Sequence, residues 1–497
     1  MEIKEYMKQL GNVRPNENQL RWFDMEMYAF IHFSPNTYTG KEWGDGTEDP
    51  AIFNPTELDC EGWARAIKAA GLKGAIITAK HHDGFCLWQT KTTEHSIKNS
   101  PYKNGKGDIV RELSDACRKV GIKFGFYLSP WDRNSEYYGT DKYNDFFKAQ
   151  LTELLTGYGE VFEVWFDEAN GETATGKRQE YDFDGYFELI RKYQPNAVIY
   201  NDHSPDVRWI GNESGSRRHA EWAVVPYELC HRLQAAPQTA SPVPGTMQYI
   251  FNTYGTIGDF ESMIYSRKPV FAPAEVDTSI RPGWFYHPSE CAHSLEHLKQ
   301  VYLNSVGNNT CLNLNIPPMP NGKFDENDVA RLLEFGNWIK TTFSDEKDLF
   351  PKADVKEVPT SETQKYYDIT FDGVKKISYI ELCEDIAYGQ RISSFSLSAK
   401  NIKNVFFRFA DDTTIGHKKI CRIGKETDSI RIYITGSRDV PLIKSIRIFE
   451  DCNKKYRSQA GKTDYDRRQS RVSRCGESTV FYARTVRAVQ ARTGRCG

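Results

Sequence analysis

The sequence has no net field, no long apolar run and no paired-cysteine motif. Its 65 Lys and Arg balance 67 Asp and Glu, so nothing in the global charge favours nucleic acid or an anionic membrane as partner. No stretch approaches the roughly 18 apolar residues of a membrane helix. The 11 cysteines are odd in number and lack Cys-x-x-Cys spacing, which argues against a disulfide framework and against a zinc site. Cys60, Cys86, Cys117, Cys230 and Cys291 read instead as free thiols behaving as small hydrophobes. The first residues, Met-Glu-Ile-Lys-Glu-Tyr, show neither a basic n-region nor an apolar h-region. With the free thiols this points to the cytoplasm, or to a periplasmic or secreted protein if a signal has been removed. A P-loop and a Gly-x-Ser-x-Gly elbow are also missing, and Gly44-Asp45-Gly46 is only a turn.

What is there is length and a regular alternation. At 497 residues the chain calls for two or three domains. Apolar runs at 25–34, 72–80, 122–130, 161–166 and 197–201 read as strands. Between them, 60–70, 108–120, 143–158 and 182–193 carry helical spacing. Continuous apolar strands separated by helices predict a parallel sheet covered by helices. No Gly-rich fingerprint follows the first strand, so a (β/α)₈ TIM-type barrel fits better than a dinucleotide-binding sheet. The pattern becomes irregular after Asn201. Short strands are expected at 207–210, 246–252 and 269–272, with an insertion over roughly 216–245, a closing strand at 311–316 and a last helix at 327–342. Residues 1–345 thus form the predicted barrel. Turn-separated β patterns at 377–382, 394–398, 404–409, 429–435 and 442–449 predict a β-sandwich over 346–452. The tail, 453–497, has 12 Lys or Arg against 3 Asp or Glu and no periodicity. It reads as disordered or appended, with a nucleic-acid-binding arm as the alternative.

Polar residues collect at the predicted carboxyl ends of the barrel strands, where such barrels place their chemistry: His32, His81, His82, Tyr127, Asp167, Asn201. The run Val-Phe-Glu-Val-Trp-Phe-Asp-Glu at 161–168 stands out, because a carboxylate at the mouth of an apolar strand is costly to desolvate. Asp167 and Glu168 are rivals there, since adjacent strand residues face opposite ways. Glu213, past the sixth strand, is a second carboxylate on the same face, with Trp209 and Ile210 available to desolvate it. Two carboxylates about 5 Å apart would make a retaining glycosidase; a surface Asp and a loop Glu is the plainer alternative. The histidines suit substrate hydroxyls better than a metal, because His81 and His82 as neighbours spoil a chelating pair. Dense aromatics, among them Trp43, Trp131, Trp209, Trp222 and Trp284, suit sugar rings, although half or more serve packing.

With these residues assembled, the chain resembles the family 29 glycoside hydrolases, the α-L-fucosidases. The motifs are Phe-Ile-His-Phe-Ser around His32, Lys-Glu-Trp at 41–43, Ala-Lys-His-His-Asp-Gly-Phe at 79–85, Gly-Phe-Tyr-Leu-Ser around Tyr127 and Val-Trp-Phe-Asp at 164–167. The resemblance implies Asp167 as nucleophile, with His32, Glu42, Trp43, His81, His82 and Tyr127 holding the fucose hydroxyls. Residues 207–215 and 277–286 look like the subgroup that removes α-1,3- or α-1,4-linked fucose from galactose-bearing, Lewis-type glycans. That similarity puts the acid/base on Glu213, a substrate-facing role on Trp209, sugar stacking on Trp284 and the reading of galactose on Glu221 and Trp222. It implies a fucosylated oligosaccharide as partner, no cofactor or metal, and a galactose-binding-like accessory sandwich. A broad fucosidase and a non-catalytic fucose-binding lectin on the same fold are the competing expectations.

Overall fold

Strand residues alternate between two apolar environments, and that alternation builds a barrel. The computed structural model describes residues 2–167, 169–172, 176–201, 206–229, 256–264, 266, 268–400 and 404–451. In β1 (Met27–Ile31) Tyr28 and Phe30 join the barrel interior, while Ala29 and Ile31 join the layer beneath the helices. The ring continues through β2 (Gly74–Lys80), β3 (Lys123–Leu128), β4 (Glu163–Trp165), β5 (Val198–Tyr200), β6 (Arg208–Trp209), β7 (Ala274–Ser279) and β8 (Cys311–Asn315). Each is parallel to the next, and β8 pairs with β1. One parallel bridge, Tyr200 to Val207, joins β5 to β6 and completes the eight-stranded barrel.

Helices cover the outside: α1 (Cys60–Ala69), α2 (Ile109–Val120), α3 (Lys142–Gly157), α4 (Phe183–Tyr193), α5 (Leu295–Asn304) and α6 (Glu326–Thr342). Asp59, Asp108, Asp182, Ser294 and Asp325 accept first-turn amide hydrogens of α1, α2, α4, α5 and α6, capping donors that would otherwise be orphaned.

One expected strand lies elsewhere than in the ring, and one barrel strand was not expected. Residues 269–272 are not a barrel strand, since Pro269–Phe271 pairs antiparallel with Val224–Pro226 in a ribbon outside the ring. The seventh barrel strand is β7, whose Ala-Glu-Val-Asp-Thr-Ser sequence does not look like a core strand. Its polar side chains point into the barrel, where partners meet them. Glu275 accepts hydrogen bonds from Trp165 Nε1 (2.9 Å), Asn313 Nδ2 (3.0 Å) and Tyr28 Oη. Buried Glu163 lies beside Glu275, and burial raises both carboxyls. The strand expected at 246–252, most of the insertion after residue 229, Glu168 and the tail lie outside the described residues.

After α6 the chain forms an antiparallel six-stranded sheet: β9 (Asp354–Ser361), β10 (Gln364–Glu384), β11 (Ile392–Lys400), β12 (Phe406–Asp412), β13 (Lys419–Ser437) and β14 (Ile443–Glu450). β10 and β13 have 21 and 19 residues and shift register between Thr370 and Lys375, where extra residues bend a strand. The first half of β10 pairs with β9 and the second half of β13; its second half pairs with β14 and the first half of β13. The sheet folds over a shared core of Ile369, Phe371, Ile380, Leu382, Ile432 and Ile448, which agrees with the expected sandwich. It is bonded to the barrel, with Gln390 Nε2 donating to Glu221 O (3.0 Å) and Thr413 Oγ1 to His219 O (2.7 Å).

Beneath the barrel mouth lies a polar scaffold. Lys80 is fully buried and donates to Asp132 Oδ2 and Gln150 Oε1, both at 2.9 Å. Asp132 Oδ1 in turn accepts from the backbone of Asn134 (3.1 Å) and Ser135 (2.9 Å). Asp83, also buried, accepts from Ser34 Oγ (3.0 Å) and Phe85 N (2.7 Å). Across from it Glu48 accepts from Asp45 N (2.8 Å) and Gly46 N (2.9 Å). Gly44 fits between them because a Cβ there would sit 2.8 Å from both Asp83 Cβ and Glu48 Oε1. Burial, reinforced by Glu48 and Asp132, pushes the Asp83 carboxyl up to about 7.

Two stability outcomes follow. Lys80→Met leaves Asp132 as an unpaired buried charge and should cost about 3–5 kcal/mol, read from the urea midpoint; a loss below about 1 kcal/mol would contradict that pairing. Asp83 holds its proton more tightly folded than unfolded, so it erodes stability as pH climbs from the ordinary carboxylate range through about 7. Asp83→Asn should therefore gain on the parent between pH 5 and pH 8, by at most about 4 kcal/mol. A difference in Tm that stays constant with pH would refute this.

Candidate active site

Residues just past the strand ends build the site. His32 follows β1, His81 and His82 follow β2, Tyr127 is in β3, Asp167 follows β4, Glu213 follows β6, and Trp284 sits on the loop after β7. Tyr127 Oη donates to Asp167 Oδ2 (3.1 Å) and Ala169 N to Asp167 Oδ1 (2.7 Å), so both carboxylate oxygens are oriented. The Asp167 side chain is 28% exposed, whereas His32, His81, His82 and Tyr127 around it are buried. Asp167 is therefore the open end of an otherwise closed cluster.

Burial favours the neutral form of the three imidazoles. Burial pushes His32 down to about 3 and lowers His81 and His82, outweighing the pull of Asp167 on His82. Hydrogen bonds then fix two tautomers. Ser129 Oγ donates to Trp131 O (2.7 Å), so His82 Nδ1 donates to Ser129 Oγ (2.7 Å) and leaves Nε2 a bare acceptor. His32 Nδ1 donates to Asn315 Oδ1 (2.9 Å), with the same result at its Nε2. His82 Nε2 lies 3.9 Å from Asp167 Oδ2. Two acceptors at that spacing suit the hydroxyl of a ligand better than each other.

Glu213 sits on the rim. Its Oε2 accepts from Trp284 Nε1 (3.3 Å) and its carbonyl from Thr278 Oγ1 (2.8 Å). Partial burial of its carboxyl raises it most; the Asp167 and Glu42 charges add to this, and the Trp284 bond opposes them. Glu213 thus has its carboxyl shifted upward, while both Asp167 oxygens are held by hydrogen bonds.

Aromatics wall the opening. Trp43, 62% exposed, stands edge-on to His82 (6.2 Å) and Trp131 (6.1 Å). Trp131 packs on His82 at 4.9 Å and reaches Gly171 on another side. A Cβ on Gly171 would come within 2.2 Å of its ring. Trp209 Nε1 donates to buried Asp277 Oδ1 (2.7 Å), placing Trp209 within the wall.

Other expected site residues have different surroundings. Glu42 spends its oxygens on the loop bearing Trp284, accepting from Trp284 N (2.9 Å) and Phe285 N (3.4 Å) and pairing with His287 Nε2 (2.6 Å). Glu221 and Trp222, expected to read galactose, are buried. Glu221 is buried against the Arg208 guanidinium, and Arg438 lies 3.4 Å over the Trp222 ring. Ser129, Asp277, Asn315 and His287 were not singled out from sequence. Asp277 had a signal, the polar run that opens the 277–286 motif. Among the described residues no group of three or more His, Cys, Asp and Glu is arranged to hold a metal ion.

Comparisons with known proteins point to one family. The α-L-fucosidase family model matches residues 11–343. The chain is 38% identical over 467 residues to Alpha-L-fucosidase 1 of Arabidopsis thaliana, covering 88% of this chain and 87% of that one. A glycoside hydrolase 29 family member from an unknown rumen bacterium superposes with a TM-score of 0.77 at 41% identity, covering 88% of this chain and 77% of that one. A Ruminococcus gnavus GH29 fucosidase in complex with fucose gives 0.77 at 29% identity, covering 89% and 96%. By barrel, by mouth and by relatives, this chain belongs to the α-L-fucosidase family of glycoside hydrolases.

Proposed function

We propose that the protein is a retaining exo-α-L-fucosidase in which Asp167 is the nucleophile and Glu213 the acid/base. The observation that carries this is a hydrogen-bonded, partly open Asp167 and a Glu213 whose carboxyl is shifted upward, both just past strand ends of one barrel mouth. Asp167 Oδ attacks the anomeric carbon while Glu213 gives its proton to the departing glycosidic oxygen. Glu213 then takes a proton from water, whose oxygen displaces Asp167 and restores the sugar's original configuration. Bare Nε2 atoms of His32 and His82 accept hydroxyl hydrogens of the fucose, and Trp43 and Trp284 cover its ring. The fucosylated oligosaccharide is the partner; Glu213 does the proton work and Asp167 the nucleophilic work.

At the finer level we propose α-1,3- or α-1,4-linked fucose on branched, Lewis-type glycans as substrate, supported by the 207–215 and 277–286 segments that carry Glu213 and Trp284. Burial of Glu221 and Trp222 favours a second reading, a broader fucosidase with no galactose requirement.

Asp167→Ala should lower kcat by at least about 10³-fold, and azide or formate should restore part of it by replacing the lost carboxylate. A β-fucose first product in an NMR time course would overturn the mechanism. Comparing kcat/KM for an aryl α-L-fucoside and a Lewis trisaccharide separates the two specificities. A ratio of tenfold or more for the trisaccharide supports the branched-glycan reading; equal or better use of the aryl fucoside supports the broader one.

A further inference from the structure

Beside the site lies a cavity of about 610 Å³ that the chemistry above does not use. It is bounded by Trp131 and Tyr138 on the aromatic side, and by Arg133, Glu136, Thr140 and Glu172 on the polar side. Its size falls within the range of about 300–1,000 Å³ usual for small-molecule sites. Trp131 is shared: the same indole that lines the cavity packs on His82 at 4.9 Å and stands edge-on to Trp43. Trp131 is therefore a wall that the cavity shares with the His82 side of the candidate site.

Its lining selects the class of ligand. Asp45, Asp132, Glu136 and Glu172 outnumber Arg133 and Lys177, which disfavours an anion. Asp132 is already neutralised by Lys80, and Asp45 pairs with Lys41 at 3.0 Å, so a cation meets little uncompensated charge. What remains is a mixture of donors, acceptors and ring faces, which suits a neutral polyhydroxylated ring. Tyr138 Oη is fixed by Tyr181 Oη (2.9 Å), Asn170 Oδ1 and Gly171 O (3.1 Å each). Arg133 is anchored through Gly44 O (2.7 Å) and sits over the Trp131 ring at 5.3 Å. The walls are thus set before a ligand arrives, which lowers the entropic cost of binding.

We propose that this cavity is a second sugar subsite, receiving a neutral ring of the same fucosylated glycan beyond the fucose itself. It rests on the fucosidase reading and deepens it by giving the enzyme a second contact with its substrate. The test uses the full chain, Glu136→Ala to remove an acceptor and Thr140→Trp to fill the space. Each is assayed on an aryl α-L-fucoside and on a panel of fucosylated oligosaccharides of three to six sugars. On the aryl fucoside both variants should stay within twofold of the parent. On at least one oligosaccharide kcat/KM should fall tenfold or more, through KM. Unchanged kinetics on every oligosaccharide would overturn the proposal. So would equal losses on both substrate types, because the change would then act through the shared fucose pocket. A parent enzyme inactive on the aryl fucoside and on the whole panel would instead bring down the fucosidase reading, and the subsite with it.

Discussion

The hydrogen bonds on Asp167 are the contacts on which the mouth of the barrel depends. A carboxylate at the end of an apolar strand loses its water, and Tyr127 Oη and Ala169 N replace part of that solvation. Tyr127 can do so because it is an inward residue of β3, locked among Phe30, His81 and Trp165. The same packing buries the histidines and thereby disfavours their charged form. The tautomers of His32 and His82 follow from Asn315 and Ser129, so which ring nitrogens are left open as acceptors is decided by neighbouring residues. An orienting layer of this kind fixes catalytic geometry before substrate binds.

Strands β1, β2, β3 and β5 were legible as nearly continuous apolar runs, the mark of a parallel sheet under helices. Strands β4 and β8 were legible from their apolar outward residues despite inward Glu163, Asn313 and Asn315. β7 was hidden by the opposite circumstance. Glu275 and Asp277 face the barrel interior, and their burial is tolerated only because Trp165, Tyr28, Asn313 and Trp209 donate to them. No local pattern announces partners that lie tens to hundreds of residues away. Pro269–Phe271 misled for the converse reason, being apolar enough for a barrel strand while folded against Val224–Pro226.

Within the site, the motifs around Asp167, the histidines and Tyr127 were readable because each sits at a strand end, where position follows from fold class. Residues on long connections were not. Glu42 faces a loop more than 240 positions further along. Glu221 and Trp222 sit where the accessory sheet docks, and their neighbours Gln390, Thr414 and Arg438 come from that sheet. The sheet thereby helps shape the segment following Glu213.

Gly171 supplies a final consequence. Its missing side chain lets Trp131 lie where a Cβ would already collide, so the width of the opening on that side is governed by an absence. In a relative carrying any larger residue there, the indole must swing, and the aperture between Trp43 and Trp131 changes shape while the carboxyls keep their places. Diversity in what the enzyme admits can therefore arise at a position remote from bond cleavage, and directed libraries aimed at new glycans have a natural starting point there.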